Sequence, residues 1–320
     1  MLRRLRHRCQ AYARSRCGQR VLRVLSLLFT VGLMVHLGGA LTRIGWVEVW
    51  GAIPRRPAFY LAFLAFYLCL PLCECAIYGL LWNCPARLSL PVLLRKRVFS
   101  RFLLDYSGEA YLYLWARRSI NLPQRHILHT IKDNIIISTA ASTAVGLLTL
   151  VYMLWIGVIG VPAGLQYHRA AEAAVAALVL VGLTTAGIRF RRRILSLPLR
   201  QVSRLFALHG ARLVALMALQ VLLWSLADPG VGLRSWLRLL AADVVISRIP
   251  FVPNRDFVLL GTGLEMADGM GAALPMLAGM LLTVSVLEKL FGLLLLVWSA
   301  APGSRPGTVE PARSTLPAGT

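Results

Sequence analysis

The chain has 320 residues, of which 58% are hydrophobic, and its 35 Lys+Arg against 13 Asp+Glu give a net charge of +22. With a mean hydropathy of +0.67 it exceeds what a soluble domain of roughly 45–50% apolar residues can bury, so a water-soluble enzyme is excluded. The basic residues lie between apolar runs, which makes the anionic face of a membrane their partner and excludes nucleic acid.

Residues 1–23 carry eight arginines and no acid and read as a cytoplasmic N-terminal segment. The apolar run 24–41 follows. It is long and precedes further apolar runs, so it is read as a retained first span rather than a signal peptide. The second span is 58–82. Segment 83–101 is basic and includes Arg95-Lys96-Arg97. The stretch 102–115 is apolar but too short to cross a hydrocarbon layer, which takes about 20 residues. Asp105, Gly108 and Glu109 interrupt it, with a break expected at Ser107-Gly108. Spans three and four are 134–159 and 170–188. Segment 189–209 has helix-spaced apolar residues among arginines and is expected to be a separate interfacial helix. The fifth span is 211–227, ended by Asp228-Pro229-Gly230. In 236–270, Pro250, Pro253, Gly261 and Gly263 are expected to prevent one continuous helix. The sixth span is 272–298 and holds Glu288 and Lys289. Residues 301–320, rich in Pro, Gly, Ser and Thr, are expected to be disordered.

The expected fold is therefore all-α: a polytopic membrane bundle over 24–300, with about six spanning helices and two broken, re-entrant segments. With a cytoplasmic N-terminus and both short segments returning to the side they start from, 25 basic residues fall inside and 8 outside. This split obeys the positive-inside rule and suits the multi-pass topology of a bacterial inner-membrane protein.

Charged groups within such a domain are functional candidates by default. In the first broken segment Asp105 and Glu109 stand four apart on a helix face, with Arg101 and Arg117 before and after them in a ladder of alternating sign. Freed backbone N–H groups near Gly108 suit an anionic head group, and Tyr111 and Trp115 suit the membrane interface. In the second, Arg248 and Arg255 are candidates for bidentate phosphate contact, with Glu265 beside them. Glu74, Glu288 and Lys289 are candidates for proton transfer or for an inter-helix ion pair, and Glu288 could also meet Arg212. His126-x-x-His129-x3-Asp133 has a spacing a metal could use, yet it lies at a basic interface and is not taken as a metal site. The six cysteines lack the usual zinc spacing. No P-loop, dinucleotide fingerprint or nucleophile elbow is present, so no cofactor is expected.

The early Ser107-Gly108-Glu109 and the late Gly261-Thr262-Gly263-Leu264-Glu265 resemble elements of the flippase-like integral membrane proteins related to the transmembrane region of lysylphosphatidylglycerol synthase. Those elements read P-G-x-x-G-E and P-G-G-x-G-x-x-E; this chain keeps only the Gly-Glu end of the early one, and in the late one Pro253 lies far upstream and a single residue separates Gly263 from Glu265. The resemblance covers the layout of residues 20–300. It implies a transmembrane domain that handles an anionic lipid or lipid-linked intermediate, by translocation rather than catalysis. Two other classes stay open: a membrane-embedded enzyme acting on lipid-linked phosphate, and a non-catalytic membrane partner of a lipid- or glycan-building complex.

Overall fold

A computed structural model of the chain describes residues 45–82, 90–102, 107–158, 195–249 and 255–300, with scattered positions between 32 and 43. Among these residues all regular structure is helical. In chain order the helices are α1 (Trp46–Gly51), α2 (Pro57–Trp82), α3 (Leu90–Phe102), α4 (Ser107–Ser119), α5 (Gln124–Trp155), α6 (Leu199–Ala227), α7 (Leu233–Arg248), α8 (Arg255–Met270) and α9 (Leu274–Ala300). Four of them are long and apolar enough to cross a membrane: α2, α5, α6 and α9 over Leu274–Leu295. The chain is a multi-pass membrane protein of helical-bundle class. The span expected at 170–188 and both chain ends lie outside the described residues, and of the span expected at 24–41 only scattered positions from 32 onward are described.

Local chemistry sets the helix ends. Pro57 opens α2, where a missing N–H costs nothing, and Pro198 immediately precedes α6, its carbonyl receiving the amides of Gln201 and Val202. Gly157 and Gly271, at φ +69° and +66°, end α5 and α8. At each, the glycine amide reaches three residues back and the next amide five back, to Leu154 and Met153 and to Asp268 and Ala267. This is a Schellman closure, which needs the left-handed conformation that glycine adopts without strain.

Two sequence expectations are corrected. The arginine-rich and apolar parts of 199–227 form one helix, α6, rather than an interfacial helix followed by a span. Gly210 at their junction costs only about 1 kcal/mol of propensity, and good helix formers on both sides carry the helix through it. Gly261 and Gly263 do not break the second short segment; both lie within α8. Glycine at a crowded helix contact costs only about 1 kcal/mol of propensity, and Gly263 sits against Leu281, Leu239 and Leu277 at 3.1–3.5 Å from where a Cβ would stand. The first segment is interrupted as expected: α3 ends at Phe102 and Ser107 opens α4, with the Ser107 hydroxyl donating to the Phe99 carbonyl at 2.5 Å. In addition, α5 starts ten residues earlier than the span read from hydropathy.

The chain forms two compact units. The first gathers Met1–Leu64, Leu148–Arg169 and Met217–Val286 and contains α7 and α8, which pack on each other. Leu41, Val49 and Ala278 form one of its buried clusters. Gly279 lets α9 approach the main chain of α1, with a would-be Cβ 2.9 Å from the Val49 carbonyl. The second unit gathers Ala65–Leu147, Ala170–Leu216 and Leu287–Thr320 and contains α3 and α4, again packed together. Its main cluster includes Tyr78, Trp82, Leu93, Leu112, Trp115 and Ile127. Helices α3 and α4, of 13 residues, and α7 and α8, of 16, are about 20 and 24 Å long at 1.5 Å per residue. All four are shorter than a hydrocarbon core of about 30 Å.

Candidate functional site

The second unit holds a buried ionic centre on α3. Arg95, Lys96 and Arg97 are consecutive, so their side chains leave the helix about 100° apart, and each finds a different partner. Lys96 is 4% exposed. Its Nζ lies 2.5 Å from Glu74 Oε1 on α2 and 3.4 Å from Glu109 Oε1 on α4, and 5.5 Å from the centre of the Tyr78 ring. Burial disfavours the ammonium, but Tyr78, Glu74 and Glu109 outweigh it and hold the Lys96 pKa above the ordinary lysine value. Arg97 donates to the Tyr67 carbonyl at 2.5 Å, lies over the Tyr67 ring at 4.1 Å and faces Glu288 Oε1 at 3.8 Å. Arg95 lies over Trp298 at 5.2 Å.

Gly108 makes this centre possible. A Cβ there would collide with the Lys96 carbonyl and the Ser100 hydroxyl, so α4 rests directly on the backbone of α3. That close approach brings Glu109, in the first turn of α4, to the lysine.

A neutral polar chain continues from Tyr78. Asn134 Nδ2 donates to Tyr78 Oη at 3.1 Å, and Asn134 Oδ1 meets His209 Nε2 at 3.0 Å. One residue earlier, fully buried Asp133 accepts from the backbone N–H and hydroxyl of Ser196 at 2.8 and 2.6 Å, and lies 3.0 Å from Lys132. Asp133 thus fastens the segment leading into α6. His126 and His129 are exposed, and no group of three metal-ligating side chains forms among the described residues.

In the first unit, Arg248 ends α7 and Arg255 begins α8, both exposed. Loss of water around part of its guanidinium, and secondly the Arg255 charge, put the Arg248 pKa below the ordinary arginine value. The two cations are therefore within electrostatic reach of each other. At the other end of this hairpin, Arg238 donates to the Val158 carbonyl at 2.9 Å and the Gly269 carbonyl at 3.4 Å, and Arg234 to Gly157 at 2.5 Å. Between α7 and α8 lies an apolar cavity of about 450 Å³, with Val158, Ala241, Val245, Ile246 and Met266 in its wall and Arg238 at its edge.

The structure thus brings Glu74 and Glu109 together on Lys96, sets Glu288 separately on Arg97, and leaves Arg248 within electrostatic reach of Arg255. It does not join all the sequence candidates. Arg117, Glu265 and Lys289 are exposed. Trp115 is packed in the core, and Tyr111 stacks on Phe99 with centroids 5.0 Å apart. Glu109 pairs with Lys96 in place of an arginine ladder, and Glu288 faces Arg97. Asp105 and the side chain of Arg101 lie outside the described residues. Sequence reading missed Lys96, Tyr78, Asn134 and His209. The one available signal was the partner count: Glu74, alone in an apolar run, required a cation from elsewhere in the chain.

No family model, curated protein or solved structure matches this chain.

Proposed function

We propose that this membrane protein handles an anionic lipid or lipid-linked intermediate and moves its head group across the bilayer, as flippase-like transporters do. The observation that carries the reading is Lys96 of the short helix α3, buried between Glu74 of α2 and Glu109 of the short helix α4. Desolvating the ammonium costs several kcal/mol. Within a membrane domain such groups mark substrate or proton pathways far more often than scaffolding.

The second short pair supports the same reading with different chemistry. Arg248 and Arg255 offer charge-assisted donors to a phosphate, and the apolar cavity suits the hydrocarbon part of a lipid. Short, discontinuous helices around a polar centre are the usual construction of transporter sites. The arginine bias supports a cytoplasmic N-terminus and a bacterial inner membrane, and the resemblance of the two short glycine- and glutamate-bearing elements supports the same reading.

The test is reconstitution in liposomes with a fluorescent anionic phospholipid, following loss of inner-leaflet protection against a membrane-impermeant quencher. The wild-type protein is expected to accelerate exchange. Lys96→Met, and Arg248→Ala combined with Arg255→Ala, are expected to reduce the rate at least tenfold while the proteins remain monodisperse. Wild-type rates equal to protein-free liposomes would sink the proposal.

A further inference from the structure

Near the middle of α6 stands a cation that the ionic centre does not use. Arg212 is the fourteenth of the 29 residues of α6 and is 8% exposed. Its Nη2 donates to Ser138 Oγ at 3.2 Å, and its Nε has no partner. No carboxylate among the described residues pairs with it. The carboxylate in electrostatic reach is Glu74, already held by Lys96 at 2.5 Å. A guanidinium cannot lose its charge in a protein, so its buried Nε–H stays a charged donor without an acceptor.

His209 stands three residues before Arg212, on the same face of α6, and is 1% exposed. Its Nε2 meets Asn134 Oδ1 at 3.0 Å, and Asn134 is itself oriented by donating to Tyr78 Oη. This orientation of the amide gives Nε2 the donor role and leaves Nδ1 as a buried lone pair, which has no partner. Two rungs therefore tie α6 to α5, His209 to Asn134 and Arg212 to Ser138. Each rung satisfies one end of its α6 side chain and leaves another atom open.

We infer that Arg212 and His209 form a receptor for a phosphate monoester. The guanidinium fork donates to the P–O⁻ oxygens in the planar, bidentate manner that arginine favours. The Nδ1 lone pair of His209 accepts from the P–OH of the singly protonated group. A phosphodiester has the anionic oxygens but no P–OH, so it leaves Nδ1 unsatisfied and binds less well. The inference deepens the lipid reading and rests on it for the source of the phosphate. Binding is measured without transport, so either can fail alone.

The experiment uses the full-length protein in nanodiscs of zwitterionic lipid, titrated calorimetrically with dioctanoyl phosphatidic acid, dioctanoyl phosphatidylglycerol and inorganic phosphate. Phosphatidic acid is expected to bind at least tenfold more tightly than phosphatidylglycerol. Arg212→Met is expected to lose tenfold or more of that affinity without lowering the melting temperature of the ligand-free protein, because removing an unsatisfied buried charge is often neutral or stabilising. His209→Phe is expected to narrow the gap between monoester and diester. Inorganic phosphate binding as well as phosphatidic acid supports the receptor with a soluble source; binding of the lipid alone supports it with a head group as source. Equal affinity for monoester and diester, unchanged affinity in Arg212→Met, or lost affinity together with a lowered melting temperature overturns it. Where Arg212→Met cannot be purified, Arg212→Lys decides: reduced affinity at unchanged melting temperature supports the receptor, and wild-type affinity overturns it.

Discussion

The two pairs of short helices solve the same geometric problem with opposite chemistry. In α3–α4 the close contact is backbone on backbone, at Gly108 against Lys96 and Ser100, and charge is driven inward. In α7–α8 the tight glycine is Gly263, which meets leucine side chains, Leu239 of α7 and Leu277 and Leu281 of α9; the space between α7 and α8 is an apolar cavity, and arginines sit at the ends. A short hairpin in a membrane protein can therefore either carry a polar centre or wall an apolar one. What decides is the atoms its glycine meets: main-chain atoms that cannot yield, or the flexible tips of leucines.

The largest expected effect breaks the first pair. Lys96→Met leaves Glu74 and Glu109, both half-buried, without their cation, and the loss is expected to reach at most the roughly 3–5 kcal/mol of a fully buried pair broken from one side. Adding Glu74→Gln is expected to recover much of the loss. Chemical denaturation of the two single variants and the double variant closes the cycle, and additive losses would show that the two groups do not interact.

The second contrast sets the two glycines against each other. Gly108→Ala is expected to destabilise by about 1–3 kcal/mol, the usual range for overpacking, because the Lys96 carbonyl cannot move aside. Gly263→Ala meets a leucine methyl at 3.1 Å, and its gain of up to about 1 kcal/mol in helix propensity offsets the crowding. Its melting temperature is expected to stay near wild type. Equal losses at the two sites would remove the distinction drawn here.

A smaller effect is expected in the neutral chain. Asn134→Ala leaves Tyr78 Oη and His209 Nε2 without their buried partner, at about 1–3 kcal/mol. The smallest is at the edge of the second pair. Arg238→Gln gives up hydrogen bonds to two helix-end carbonyls and is expected to cost about 1 kcal/mol, read as a shift of a few degrees in melting temperature.

The long helices were legible because their signal is local. About 20 apolar residues need no knowledge of neighbours, and α2 and α9 fall within two residues of the expected spans. The existence of two short interrupted pairs was legible as well, from acids and prolines in runs too short to cross. The prolines marked the division between α7 and α8, but Gly261 and Gly263 misled, since a glycine reads the same whether it ends a helix or seats it against another. The ionic centre was hidden for a related reason. Lys96 belongs to a basic run that looks like a solvated face, and its partners Glu74 and Glu109 lie 22 residues before it and 13 after it. Arg212 looked like a stray charge in a span, and only the engagement of Glu74 elsewhere reveals that it lacks a carboxylate.

Sidedness tests the central claim most directly, namely that each short pair returns to the side from which it starts. Single cysteines at Gly232 and Ala272, flanking α7–α8, and at Ser89 and Asn121, flanking α3–α4, would be labelled with a membrane-impermeant thiol reagent in intact cells, in a cysteine-free background. The account predicts labelling from outside at both 232 and 272, and labelling at 89 and 121 only after the membrane is opened. Labelling of 232 and 272 from opposite sides would mean that the pair crosses, and the account of two re-entrant hairpins would be wrong.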